Sequence, residues 1–180
     1  MEGKHQEKGL IIVYTGEGKG KTTAALGLAL RAAGYKQKVL IIQFGKIWFS
    51  GEVVAVKKLK PFVELRQEGK GFVGILGDRQ PKSEHRKAAR SAFADLEKEM
   101  VSGKWDVVIA DEVIGTVSAG LLPESFLLRL ITAKPAKMDL VLTGHHASAK
   151  LINKADLVTE MLPVKHPFTK GILAKRGIDY

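Results

Sequence analysis

The sequence predicts a single α/β domain with a mostly parallel central sheet flanked by helices. Short β-branched runs alternate with helical stretches, the pattern of strand–helix–strand units. A continuous apolar strand also runs into a glycine-rich turn and then a helix. With 180 residues, 45% of them apolar, the chain is long enough for one core and leaves little room for a second.

Leu10 to Tyr14 reads as a first, buried strand, and Lys21 to about Ala33 as the first helix. Leu26, Ala29, Leu30 and Ala33 share the helix's expected inner face, and Gly34 stands where a C-cap glycine belongs. Val39 to Phe44 is the second strand, and Phe62 to Arg66 the third, bracketed by Pro61 and by Gly69 and Gly71. Pro81 opens a long amphipathic helix with Ser83 as N-cap and Ala89, Ala92, Phe93, Leu96 and Met100 on its buried face. Gly103 ends it. Asp106 to Ala110 is a strand leading into Asp111-Glu112, and Pro123 starts a helix through about Ala133. Leu140 to Thr143, a short helix at Ala149 to Ile152, and a last strand at Leu157 to Met161 complete the order. Gly45 to Gly77 is the least regular stretch, and loops of such length are usually functional or mobile.

Composition narrows the chemistry. The absence of cysteine excludes disulfides, thiolate metal sites and cysteine nucleophiles, and suits a reducing cytoplasm. Apolar runs such as Leu10 to Val13 and Val39 to Ile42 are too short for a bilayer, and MEGKHQEKG has no signal core. The expectation is a soluble, cytoplasmic protein. Twenty-nine Lys and Arg against nineteen Asp and Glu leave a net charge of +10, which concentrates polyanions near the surface. A Lys-rich solvated face explains the excess equally well. The basic residues are scattered, without the aromatic interleaving that stacks bases, so nucleic acid is the less favoured partner.

Thr15-Gly16-Glu17-Gly18-Lys19-Gly20-Lys21-Thr22-Thr23 falls between the first strand and the first helix, and its Gly-Lys-Thr tail matches a phosphate loop. Glycines let successive amides converge on phosphate oxygens, the helix N-terminus adds partial positive charge, and Lys21 adds a full one. The Thr22 hydroxyl is placed to ligate Mg²⁺. The first glycine of the usual motif falls at Thr15, with Gly16 displaced by one. An apolar strand ending in Asp111-Glu112 is how phosphate-loop proteins set a metal-linked acid beside a triphosphate. Thr22, Asp111 and Glu112 are therefore the candidate metal ligands, for Mg²⁺ or Mn²⁺. The fold expectation sharpens to a single-domain P-loop NTPase-like domain over residues 10–180. Phosphoryl transfer, hydrolysis coupled to motion, and attack elsewhere on ATP all remain open at this point.

Along nearly its whole length, the chain resembles the ATP:corrinoid adenosyltransferases of the phosphate-loop type. The resemblance is carried in order by Tyr14 to Ala25, Gln43-Phe44 with Lys46, Gly51-Glu52, Trp105 to Glu112 and Thr143-Gly144. Ala155 to Met161, Val164-Lys-His-Pro-Phe168, Gly171 and Gly177-Ile-Asp-Tyr180 continue it. The displaced glycine is the family's own form of the loop.

The resemblance implies that the Co(I) centre of a reduced corrinoid attacks the ribose C5′ of ATP and releases tripolyphosphate. It implies ATP reversed in the loop, with Lys21, Thr22 and Glu112 catalytic and Thr15 to Thr23 and Arg31 at the nucleotide. It further implies a homodimer, an external electron donor such as a reduced flavoprotein, and a flexible segment, Met1 to Gly9, closing over the corrinoid. Gly71-Phe72-Val73-Gly74 falls where relatives carry Gly-Phe-Thr-Trp, so Phe72 is the expected corrinoid contact and Gly74 a departure. The departure implies weaker displacement of the corrinoid's lower ligand, compensation by another aromatic such as Trp48 or Phe49, or a preference for a corrinoid lacking the lower base. His145-His146 stands where relatives commonly begin with Arg, and a phosphate or nucleotide contact by His145 is expected. Val113-Ile-Gly115, after the acidic pair, is a third departure.

Overall fold

The computed structural model describes residues 8–71, 73–74 and 77–180. Of the expected N-terminal segment and corrinoid loop, Met1 to Glu7 and Phe72 lie outside the described residues. Six strands form one sheet among the described residues: β1 (Ile11–Thr15), β2 (Val39–Phe44), β3 (Val63–Glu68), β4 (Val107–Asp111), β5 (Asp139–Thr143) and β6 (Leu157–Glu160). Their order is β3-β2-β4-β5-β1-β6, and every pairing is parallel. The expected mostly parallel sheet is thus parallel throughout.

The helices are α1 (Lys21–Gly34), α2 (Gly51–Ala55), α3 (Lys82–Met100), α4 (Val113–Ser118), α5 (Glu124–Ala133) and α6 (Ala149–Ile152). Successive side chains of a strand point to opposite faces, and here both faces are covered. Val13, Leu40, Ile42, Val108 and Leu142 pack with α3 and α5, while Ile12, Ile41, Ile109 and Val141 pack with α1. That is why these strands read as unbroken apolar runs. The expected inner face of α3 is buried as read, with His85 and Glu99 added.

Several local expectations change. The α1 face that packs is Ala25, Ala29 and Ala32, whereas Leu30 is 59% exposed. Gly34 is the last residue of α1 rather than its cap, and Lys36 takes the left-handed backbone (φ 62°). Ser83 lies within α3, whose N-cap position is Pro81. The stretch from Gly45 to Gly77 holds α2, a 3-10 turn at Val56–Leu59 and β3. Helix α4, which follows the acidic pair directly, has no counterpart in the sequence reading.

The topology places the site. After β1 the chain crosses to β2 on one side, whereas after β5 it crosses beyond β1 to β6 on the other. Connections leaving neighbouring strands in opposite directions open a crevice at their carboxyl ends, where such sheets bind ligands. Thr15-Gly16 and Thr143-Gly144 flank that crevice.

Candidate active site

Three strands of the sheet end in a polar residue after an apolar run, Thr15, Asp111 and Thr143, and Gln43 stands one residue before the end of β2. All four are at most 5% exposed, and register pairs Gln43 with Asp111. Buried polar groups must be satisfied, and Gln43 and Thr143 of this row converge on Asp111. Its carboxylate accepts from Thr22 Oγ1 (3.0 Å), Thr143 Oγ1 (2.7 Å) and Gln43 Nε2 (3.1 Å). Burial pushes the Asp111 carboxyl above its ordinary pKa, against the pull of these donors.

The loop after β1 curls so tightly that its backbone touches the segment after β6. Gly18 N–H donates to Met161 O (2.6 Å), and Met161 N–H donates to Thr15 O (2.8 Å). Gly16 has φ +96°, and a Cβ there would come within 2.4 Å of Met161 O, so only glycine fits. Lys21 is buried at the start of α1, and its Nζ donates to Gly16 O (2.7 Å) and Gly18 O (2.9 Å). The ammonium therefore lies over the loop's own carbonyls. Burial lowers its pKa, opposed by Glu112, Glu17 and Asp111.

Glu112 has left-handed backbone (φ 60°), a conformation that costs free energy in a non-glycine residue and is often found at functional sites. Its N–H donates to Thr143 Oγ1 (2.9 Å), and its carbonyl accepts from Thr116 Oγ1 (2.9 Å). Burial, reinforced by the neighbouring Asp111 charge, raises its pKa to about 7. Gly144, at φ +141°, lies so close that a Cβ would meet Gly115 N at 2.3 Å, which brings the β5 loop against α4. Beyond it, His145 Nδ1 lies 3.5 Å and His146 Nδ1 3.3 Å from the Glu17 carboxylate.

Two cavities open along this edge. The first, about 550 Å³, is lined by the phosphate loop from Glu17 to Thr23, with Leu26, Lys46, Glu52, Glu112 and His145, and by Gly177 to Tyr180. The second, about 600 Å³, takes Phe44, Gly71, Val73, Thr116, Ala119 and Leu121 among its walls. Glu17, Glu112 and His145 line both. Trp48 lies beside Gly71, where a Cβ would come within 3.5 Å of its ring. Phe49 is 66% exposed. Gly74 N–H donates to Asp78 (2.9 Å).

A family model for ATP:corrinoid adenosyltransferase BtuR/CobO/CobP matches residues 7–180. The chain belongs to that family of transferases. It is 36% identical over 176 residues to a corrinoid adenosyltransferase of Escherichia coli K12, covering 97% of this chain and 87% of that one. A Salmonella typhimurium corrinoid adenosyltransferase is also 36% identical, with the same coverage. Among solved structures, a KaiC-like protein from Pyrococcus horikoshii superposes with a TM-score of 0.50 at 14% identity. That likeness covers 85% of this chain and 73% of the other, and it concerns the α/β fold.

Most of the sequence candidates are gathered here. Thr15 accepts from Ala147 N–H (3.1 Å), and Glu17 to Thr23, Glu112 and His145 wall the first cavity. Arg31 is different: it sits exposed in the last turn of α1, and it does not line that cavity. Ten residues of helix put it about 15 Å from Lys21 along the axis. Several site residues were not picked as candidates. Gln67 donates to Gln43 Oε1 (3.1 Å), and Lys46 pairs with Glu52 (2.6 Å), which also accepts from Gln43 (3.3 Å). A polar residue late in an apolar strand, as Gln43 is in β2 and Thr143 in β5, was the available signal. Asp179 lies in the Gly177-Ile-Asp-Tyr180 end that carries the resemblance, but nothing in the sequence pointed to its contact with Lys19 at 2.6 Å.

Proposed function

We propose that the chain transfers the 5′-deoxyadenosyl group of ATP to the Co(I) centre of a reduced corrinoid, releasing tripolyphosphate. Membership of the family supports the coarse reaction. The observation that carries the finer reading is the pair of adjoining cavities, one walled by a phosphate loop and one more apolar, sharing Glu17, Glu112 and His145. Polyphosphate lies along the loop, the corrinoid enters the apolar cavity, and the ribose spans the shared wall.

In this reaction the cobalt lone pair forms the Co–C bond at C5′. The C5′–O bond breaks, and its electron pair leaves with the tripolyphosphate. The protein needs no general base, because the nucleophile carries no proton. Its work is to hold the reacting atoms together and to stabilise charge gathering on the leaving group. Lys21 and the loop amides face that charge, and Lys19 stands at the loop tip. Reorienting Lys21 from its own loop carbonyls to phosphate oxygens exchanges one set of acceptors for a charged one.

The residues present fit a hard divalent cation such as Mg²⁺ or Mn²⁺: a hydroxyl from Thr22 and carboxylates from Asp111 and Glu112, all oxygen donors. Among the described residues no cluster of three or more acidic, His or Cys side chains forms an all-protein cage. That suits Mg²⁺, which is commonly held by one or two carboxylates together with substrate phosphates. Bound there, the ion neutralises charge on the polyphosphate.

The cysteine-free sequence offers no thiol redox pair, so we assign the reduction of the corrinoid to an external donor such as a reduced flavoprotein. A cytoplasmic homodimer belongs to the same proposal. Strand β6 supports the dimer, since it ends the sheet order with Leu157 and Val158 exposed. Among the described residues no helix is long and apolar enough to cross a membrane.

The test is turnover of ATP with chemically reduced corrinoid, reading the phosphorus products. Tripolyphosphate appearing with a light-sensitive adenosylcorrinoid is the expected outcome. Orthophosphate with ADP, and no cobalt–carbon bond, would overturn the reading in favour of β–γ cleavage.

A further inference from the structure

We propose that Asp179 and the substrate's polyphosphate compete for Lys19, so that residues 162–180 form a strap over the phosphate loop that binding displaces. This rests on the reading of the first cavity as a polyphosphate site.

The strap is weakly seated. Residues 162–180 are exposed almost throughout, and Val164, Phe168 and Leu173 are 96%, 71% and 79% exposed. Its backbone bonds are local, such as Thr169 N–H to His166 O and Ile172 N–H to Pro167 O. Its tip is nonetheless ordered by a compact turn. Gly177 N–H donates to Tyr180 O (2.8 Å), Lys175 N–H donates to Asp179 Oδ2 (2.7 Å), and Gly177 has φ 79°. That turn aims the other carboxylate oxygen at Lys19 Nζ, 2.6 Å away. The tip and His166 thereby become one wall of the cavity that the loop builds.

A carboxylate there presents to Lys19 the same kind of group as a phosphate oxygen: a charged acceptor in hydrogen-bond reach. It carries one negative charge. A polyphosphate carries several and also engages the loop amides and Lys21, so it wins the contest. The side chains of Lys19 and Asp179 are 41% and 29% exposed, and exposed pairs are worth little. A contact of that strength yields to a ligand readily, and it lowers ligand affinity only modestly.

The experiment is calorimetric binding of inorganic tripolyphosphate to the full chain. Removing the competitor with Asp179→Asn should tighten binding about two- to fivefold, the range an exposed ion pair commands. Asp179→Glu, which keeps the carboxylate, should stay nearer the parent. In a Lys19→Ala background Asp179→Asn should change nothing. Gly177→Ala, which strains the turn without meeting a neighbour, should tighten binding in the same direction.

Trypsin cleavage after Lys175 and Arg176 should speed up when tripolyphosphate is added. If the parent binds tripolyphosphate but Asp179→Asn binds it equally or more weakly, the strap is wrong and the phosphate site stands. Slower or unchanged cleavage on binding also refutes displacement. If the parent binds no tripolyphosphate, the functional reading fails with the strap.

Discussion

The two adjoining cavities are built by different means. The phosphate-loop cavity is made largely from backbone and from the polar ends of buried strands, held by contacts such as Gly18 N–H to Met161 O and Thr22 Oγ1 to Asp111. The apolar cavity borrows its walls from α4 and from the segment around Gly71 and Val73, with fewer buried polar anchors. On the proposed function, the contrast follows from the ligands. A polyphosphate looks the same in every enzyme and is gripped by amides and one or two cations, so a short contiguous motif can encode its site. A broad, mostly apolar ring needs a large surface, which only several loops together supply, and those loops can vary without disturbing the sheet.

The difference is sharpest at Lys21. Replacing it by Ala removes the only full charge buried in the loop itself. Adenosyl transfer should fall about 10³-fold in kcat/KM, roughly 4 kcal/mol of transition-state stabilisation. Corrinoid binding, followed by absorbance of the bound cofactor, should stay near the parent. Equal loss of both would mean that the two cavities are not separable.

Glu112 lies in both cavities and carries the cost of that position. Its pKa rises from 4.5 to about 7 in the folded chain, so the folded state holds a proton that the unfolded state releases. Stability is therefore complete below about pH 4.5 and declines as pH climbs through 7. The loss is on the order of 3 kcal/mol for a shift of this size. Glu112→Gln should flatten that decline in urea melts, ending more stable than the parent at pH 8 while losing activity. A variant less stable than the parent at pH 8 would show that the carboxylate helps hold the site together.

Ala119 sits exposed at the end of α4, on the wall of the apolar cavity alone. Ala119→Trp fills the cavity mouth without touching the core. The corrinoid KM should rise about tenfold, near 1.4 kcal/mol, and ATP affinity by calorimetry should not change. A shift in ATP affinity would place the nucleotide in the wrong cavity.

The same asymmetry decided what could be read from sequence. Thr15 to Thr23, with Asp111 and Glu112, is a compact signal, because strand, loop and helix follow one another and the loop does its own chemistry. The central strands were legible because both faces are buried, leaving unbroken runs such as Val39 to Ile42. Helix α4 was missed since Val113 to Ser118 is short and follows a left-handed Glu112, with no capping signal before it. The inner face of α1 kept Ala29 from the expected set but took Ala25 and Ala32 in place of Leu30, since small residues let a helix pack close on a sheet. Gln43 and Thr143 stand out as polar residues late in apolar strands, but their convergence on Asp111 shows only once the strands are side by side. Asp179 reaches Lys19 across 160 residues of sequence, a contact no local pattern announces.

The two histidines after β5 divide the cavities most finely. His145 lines both, whereas His146 lines only the apolar one. Both face the Glu17 carboxylate. Burial and the nearby Lys21 charge lower the pKa of His145, which favours the neutral ring in the ligand-free site. A neutral imidazole gives a phosphate or ribose one ordinary hydrogen bond, worth about 1 kcal/mol. His145→Ala should therefore raise the KM values for ATP and corrinoid together, each about three- to fivefold. His146→Ala should raise only the corrinoid KM, by about two- to threefold, and leave that for ATP at the parent value. Steady-state kinetics with either substrate varied separates the two cases. If His146→Ala moves the ATP KM instead, the nucleotide extends past Glu17 into the apolar cavity, and the boundary between the two sites must be redrawn on the far side of His146.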